Sequence, residues 1–257
     1  MSEHRSLKRR LIAAGADPAA DPLTAWQCLR KAEGARATVI DLYAIVARPR
    51  GLEPHQLPRP ERAALARSIM PVVWPGFATT EGSAREGDRI EILHYDPDWP
   101  NRYDRWRERI QSTVGAAAVT IEHVGSTSVP GLSAKPIIDI QVAVRDLRDE
   151  PAYVPGLEQA GVQLRSRDDY HRYFRPFPEQ PRDVHVHVCA VGSDWEREHL
   201  LFRDYLRAHQ PARIAYAAAK RQAASVWSDD GVAYTDAKAH VILAIMDEAE
   251  RWVAARE

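Results

Sequence analysis

Only two cysteines occur in 257 residues, Cys28 and Cys189. So few, and so far apart, they exclude a disulfide framework of the kind that staples small secreted folds. Excess charge is lacking as well, since 35 Lys and Arg stand against 36 Asp and Glu. That balance argues against a general nucleic-acid binder, which needs a basic footprint to neutralise phosphates, while leaving room for a local basic patch. No apolar run approaches the ~20 residues that span a bilayer. The charged N-terminus MSEHRSLKRR has no apolar signal core behind it. The expectation is a soluble, cytoplasmic protein with no membrane partner. Internal repeats and low-complexity tracts are absent too. The length is enough to bury a full core, in one large or two modest domains.

What is present first is a series of short helical segments, at residues 7–14, 24–31, 37–47 and 60–70. Pro60 stands at the start of the last of these and Pro71 just beyond its end. Val39, Ile40, Leu42, Tyr43 and Val46 form an apolar stripe at helical spacing, which is the pattern of a packing face. No spacing in this region carries chemistry. The composition changes near 82–88, so residues 1–84 read as an all-helical N-terminal region and residues 85–257 as the domain that holds the site.

The most informative stretch is 121–144, IEHVGSTSVPGLSAKPIIDIQVAV. Two strand-like runs flank a Gly125-Ser126 turn, and the second run is interrupted only by Asp139 and Gln141. On a strand those two share one face, with Ile138, Ile140 and Val142 on the other. Ser126 or Thr127 suits an N-cap, and the N–H groups of a short helical turn there could point at an anion. The same residues could also do no more than shape a turn. A third strand, 183–189, alternates strictly: Asp183, His185, His187 and Cys189 on one face, Val184, Val186 and Val188 toward the core. Two imidazoles two residues apart can share a metal, and imidazole suits Zn²⁺, Mn²⁺ or Fe better than Mg²⁺. They could equally hydrogen-bond neighbouring strands without one. If the two strands are neighbours in one sheet, Asp139, Gln141, His185 and His187 converge.

Residues 165–175 are denser in cations, with Arg165, Arg167, Arg172 and Arg175 beside His171 and the aromatic Tyr170, Tyr173 and Phe174. They fit either a surface that stacks a base or a half-buried strand with a charged face. The last third is helical. Ser193 and Glu196 form a capping-box pattern opening a helix to about His209, Pro211 starts another, and a third runs from Thr235 or Asp236 to the end, packing on Ala237, Val241, Ala244, Ile245 and Ala249. Lys220, Arg221 and Lys238 are the cations there that could reach a phosphate.

The string HVGSTSVPGL followed by AKPIIDI resembles the signature of the bacterial GrpB family (UPF0157), and the likeness continues through HRYFRPF, DVHVHVC, HLLFRDYLRAH and YTDAKAHVI, over roughly 88–257. The resemblance implies an α/β (α+β) domain similar to the nucleotidyltransferase (polymerase-beta-like) fold, a small mixed sheet flanked by helices. In that fold a Gly-Ser pair grips the phosphates of a nucleoside triphosphate such as ATP. Two carboxylates spaced D-x-D bind the metal. Gly125 and Ser126 match the pair and Asp139 the first carboxylate. Gln141 departs from the second, offering a neutral oxygen where hard Mg²⁺ prefers anionic ones.

The resulting expectation is a metal-dependent nucleotidyltransferase-like protein acting on a small-molecule nucleotide. Asp139, His185 and His187 would hold a divalent ion (Mg²⁺, Mn²⁺ or Zn²⁺) and serve catalysis. Gly125, Ser126, Thr127, Lys135, Arg172, Lys220 and Lys238 would bind the nucleotide. A non-catalytic nucleotide-binding or interaction module would account for Gln141. A histidine-dependent phosphate-ester hydrolase is the third reading, since His185-x-His187-x-Cys189 is similar to a histidine-triad pattern with Cys189 in the place of the third histidine.

Overall fold

The computed structural model describes residues 2–17, 19–80 and 89–256. Its elements follow in the order α1 (Ser2–Ala13), α2 (Pro22–Glu33), α3 (Val39–Ala47), α4 (Arg59–Val73), β1 (Ala78–Thr79), α5 (Trp99–Val114), β2 (Ala118–Val124), β3 (Ile138–Val144), α6 (Val154–Gln159), β4 (Val162–Arg167), β5 (His171–Pro176), β6 (Val184–Ala190), α7 (Asp194–Ala208), α8 (Gln210–Trp227), α9 (Gly231–Asp236) and α10 (Ala239–Ala254). Two compact units share them. None of the helices among the described residues is long and apolar enough to cross a membrane.

One unit comprises Met1–Val73, Gly87–Ile90 and Ala219–Leu243. Trp26, Leu29, Val39, Leu42 and Tyr43 are fully buried in it, as the helical apolar stripe requires. Asp21 caps α2, and Arg10 ties α1 to Glu33 at 2.6 Å and to Asp41 at 2.7 Å. Segment 219–243 carries its own contacts to the N-terminal helices. The Val39 N–H donates to Asp236 at 2.7 Å, and Arg62 pairs with Asp229 at 2.6 Å. The helical reading of residues 1–84 holds through Val73. Beyond it Ala78–Thr79 form a short strand of the sheet, and the sequence boundary at 82–88 lies outside the described residues.

Two helix boundaries differ from the sequence reading. Helix α4 runs through Pro71 to Val73, because a proline in the last turn removes only one helical N–H. The final helix is two: Asp230 accepts the Ala233 N–H and caps a separate α9, and α10 begins only at Ala239. Ala244 is accordingly exposed, while Ile245 and Ala249 pack inward.

The second unit, Trp74–Glu86, Glu91–Ala218 and Ala244–Glu257, is built on a six-stranded mixed sheet of order β1-β4-β5-β6-β3-β2. Only the central β3–β6 pair is parallel; the others are antiparallel. Ile138, Ile140, Val142, Val184, Val186, Val188 and Phe174 are all buried on one face, against Trp99, Ile110 and Val114 of α5 and Leu157 of α6. Gly156 lets α6 touch α5, since a Cβ there would stand 2.7 Å from the Thr113 carbonyl oxygen. The opposite face is polar and lies under α7. Gln141 donates to the Glu196 carbonyl at 3.4 Å, and Arg203 pairs with Glu122 at 2.7 Å. The period-2 alternation thus separates a hydrocarbon core from a polar face within the same strands.

Candidate functional site

The parallel register sets Asp139 beside His185 and Gln141 beside His187. Because facing residues on adjacent strands point the same way, Asp139, His185 and His187 meet on the α7 side of the sheet. One ligand atom from each of the three falls within 4.8 Å of the others. Asp139 Oδ1 lies 3.2 Å from His185 Nδ1 and 3.9 Å from His187 Nε2. Bonds of about 2.0–2.1 Å to a tetrahedral ion place ligand atoms roughly 3.3 Å apart, which the Asp139–His185 pair already meets and toward which the rest of the set would contract.

Burial pushes the Asp139 carboxyl upward, but hydrogen bonds and charge from the two histidines outweigh it and hold the group below the usual carboxylate range. Burial pushes His185 down to about 4, against the pull of Asp139. At neutral pH an anionic carboxylate therefore sits beside a neutral imidazole. With no ion between them, Nδ1 donates to that carboxylate, and a metal held by the two groups would take the place of that proton. His185 Nε2 and His187 Nδ1 are buried without hydrogen-bond partners. The nitrogens that face the carboxylate are the other two, His185 Nδ1 and His187 Nε2, and two imidazoles with one carboxylate suit a borderline-soft divalent ion.

Gly125 follows β2 with φ +68° and ψ −168°, a conformation reserved for glycine. A Cβ there would overlap Asp139 Oδ2 and stand 2.9 Å from the Asp139 Cβ. The turn that follows is a single 3-10 turn, Ser126–Ser128. Its cap is Gly125 rather than Ser126 or Thr127, and no side chain caps it, because the hydroxyls are engaged elsewhere. Ser126 shares a side-chain hydrogen bond with Tyr216 of α8. Thr127, buried, meets His123 Nε2 at 3.0 Å and donates to the Ile137 carbonyl at 3.3 Å. Ser128 donates to the Gly125 carbonyl at 2.7 Å.

Lys135 stands just before β3 and is coupled to Asp139, with burial pulling its ammonium down against that carboxylate. Arg172 lies opposite Val188, on the core face, where it donates to Glu150 at 2.6 Å and to the Asp168 carbonyl at 2.5 Å. It is therefore across the sheet from Asp139. Lys220 and Lys238 are buried side chains of the other unit, Lys238 with its ammonium 4.1 Å from the centre of the Tyr234 ring. Gln141 is fully buried beneath α7, its Oε1 without a hydrogen-bond partner.

Several neighbours were not among the sequence candidates. Tyr173 faces His185 and His187, with ring centres 5.3 and 5.2 Å away. Trp195 and His199, one helical turn apart on α7, form with His171 a stack at 4.1 and 4.4 Å, and Trp74 closes its edge. The signal was available in the i, i+4 spacing of Trp195 and His199, which places both on one face of a helix. Of two surface clefts of about 580 and 470 Å³, the first reaches Trp195, and neither is lined by Asp139, His185 or His187.

Buried neutral histidines make this unit acid-labile. Burial pushes His123 and His199 to about 4 each, against 6.5 for a free imidazole. The unfolded chain therefore binds their protons first as pH falls. The stability is complete above about 6.5 and is lost as pH falls toward 4. At about 1.4 kcal/mol per unit, His123 alone accounts for a loss of up to ~3 kcal/mol. Urea midpoints followed by tryptophan fluorescence should drop steadily between pH 7 and pH 4.5. A flat profile would mean that both imidazoles take up protons in the fold as readily as in the unfolded chain.

A model of the GrpB protein family matches residues 89–248. A UPF0157 protein of Halalkalibacterium halodurans is 44% identical over 160 residues, covering 62% of this chain and 82% of that protein. A UPF0157 protein of Streptomyces coelicolor is 46% identical over 164 residues, covering 64% and 86%. The crystal structure of GrpB from Enterococcus faecalis superimposes with a TM-score of 0.56 at 29% identity, over 63% of this chain and 99% of that one.

Proposed function

The chain belongs to the GrpB family, and we propose that it is a metal-dependent, nucleotidyltransferase-like protein binding a nucleoside triphosphate. The observation that carries the reading is the convergence of Asp139, His185 and His187, with ligand atoms within 4.8 Å of one another. These three would hold a single ion, Mn²⁺ or Zn²⁺ in preference to Mg²⁺, since two of the donors are imidazoles. When bound, the ion supplies Lewis-acid polarisation of a phosphoryl oxygen. Asp139 contributes the negative charge of the site, the histidines contribute lone pairs, and Gly125 leaves room for the Asp139 carboxylate itself. The Ser126 hydroxyl donates to a phosphate oxygen. What remains for the protein is to hold an acceptor group in line with the α-phosphate.

One observation favours a second reading, in which the nucleotide is bound but not turned over. Gln141 occupies the place of the second carboxylate, is fully buried and is tied to the Glu196 carbonyl. A site without that carboxylate lacks the usual second ion, and a retired active site has this form.

The test is a thermal-shift panel of the four nucleoside triphosphates, each with and without Mn²⁺ or Zn²⁺. A ligand at 100 times its dissociation constant stabilises by about 2.7 kcal/mol, which is readily seen. A shift that requires both nucleotide and metal is expected. Ser126→Ala should weaken nucleotide binding by about 1.5–3 kcal/mol, the range for a hydrogen bond to a charged group, and cost about 1 kcal/mol of stability through its bond to Tyr216. Equal nucleotide affinity in folded Ser126→Ala, measured by calorimetry, would reduce the Gly-Ser pair to turn geometry. No shift with any nucleotide would end the nucleotide reading.

A further inference from the structure

The cations around Asp139 go beyond those the sequence singled out. Antiparallel pairing of β5 with β6 sets Tyr173 opposite His187 and ends with Phe174 opposite Val186; continued by one residue, the same register would set Arg175 opposite His185. His185 in turn faces Asp139, and Asp139 faces Val124, the residue before Gly125. Arg175, His185, Asp139 and the Gly125 turn thus form one row across four strands. Arg175 keeps the face of Tyr173 by alternation, with its guanidinium carbon 5.5 Å from the centre of that ring. From the loop before β6, Arg182 shares a side-chain hydrogen bond with Tyr173. Lys135 enters from the loop before β3 and is coupled electrostatically to both Asp139 and Arg182. Two loops and one strand end therefore deliver three cations to the end of the sheet where β3 and β6 begin.

The carboxylate that acts on Lys135, Tyr173 and His185 alike is Asp139, whose charge already serves His185 and His187. A divalent ion at Asp139 would leave the row strongly positive. That is the complement of a polyphosphate, and guanidinium forks match phosphate oxygens better than ammonium groups do. We propose that Lys135, Arg175 and Arg182 form an anion subsite that takes the distal phosphates of a polyphosphate ligand, at the end of the row opposite the Gly125–Ser126 turn. The proposal rests on the metal-and-nucleotide reading above and assigns residues that reading did not contain. It also replaces Arg172 with Arg175. A one-residue change of position on β5 moves the guanidinium from the core face to the site face.

Calorimetric titration of the full chain with inorganic tripolyphosphate, in the presence of Mn²⁺ and at two salt concentrations, tests this. Arg175→Ala and Arg182→Ala should each weaken binding by about 10- to 100-fold and flatten the salt dependence, with Mn²⁺ affinity changed less than threefold. Arg182→Lys, which keeps the charge but not the fork, should fall between wild type and Arg182→Ala. Arg105→Ala, an exposed α5 change outside the row, controls for net charge and should bind as wild type. Undiminished tripolyphosphate binding in folded Arg175→Ala and Arg182→Ala would overturn the subsite. So would a wild type that binds Mn²⁺ through Asp139 but no tripolyphosphate, and that result leaves the metal reading standing. Tripolyphosphate binding that depends on Arg175 and Arg182 without any Mn²⁺ site would support the subsite and sink the metal reading instead.

Discussion

Gly125→Val is expected to cost about 2–6 kcal/mol and to abolish metal binding. Two penalties combine. The backbone at φ +68° and ψ −168° lies in a region that only glycine occupies comfortably, at about 1–3 kcal/mol for another residue. The new Cβ would also overlap the Asp139 carboxylate, and overpacking of that kind costs about 1–3 kcal/mol. Relief comes only by turning Asp139 away from His185 and His187, so the fold and the site fail together. Gly131→Ala separates the two terms. Gly131 has φ +78° and nothing within 4 Å of where a Cβ would stand, so only backbone strain is added. Urea denaturation should show Gly125→Val losing clearly more than Gly131→Ala. Equal losses would mean that the contact with Asp139 is relaxed without consequence.

Asp139→Asn should lower affinity for Mn²⁺ or Zn²⁺ by on the order of 100-fold or more. Removing a partner outside the coordination shell commonly costs 10- to 100-fold, and here an anionic ligand itself is lost. The amide oxygen can still accept from His185 Nδ1, so the urea midpoint should move less than in Gly125→Val. The nucleotide-dependent thermal shift should disappear with the metal. Isothermal titration of wild type and Asp139→Asn reads both effects, and unchanged metal affinity would place the ion elsewhere.

Much of this site is legible in the sequence because strand alternation has a period of two. The strict alternation of residues 183–189 puts His185 and His187 on one face and the valines in the core, and the same rule puts Asp139 opposite Ile138 and Ile140. Adjacency was not legible, because no local spacing reports that β3 and β6, 46 residues apart at Asp139 and His185, pair in parallel. The same period that made the histidines readable made the arginines treacherous. With the start of β5 unfixed, Arg172 and Arg175 were equivalent as cations, yet they fall on opposite faces. Thr127 and Ser126 present the same difficulty in a turn, where one hydroxyl is spent inside on His123 and the other meets Tyr216. The need for glycine at 125 could be guessed from a turn. Its closest reason, the side chain of Asp139, is a tertiary contact. Helix α9 stands apart from α10 because Asp230 caps it, a start that helical periodicity alone does not mark, and the Trp195–His199 pair is hard to read because aromatic helix positions look like core.

The most direct measurement is anomalous diffraction from crystals of the full chain grown with Mn²⁺ or Zn²⁺. One peak is expected on the α7 face of the sheet, within bonding distance of one Asp139 carboxylate oxygen and one nitrogen from each of His185 and His187, with Gln141 uninvolved. A peak bound by other residues, or Asp139 turned away from both histidines, would contradict a metal centre at this site.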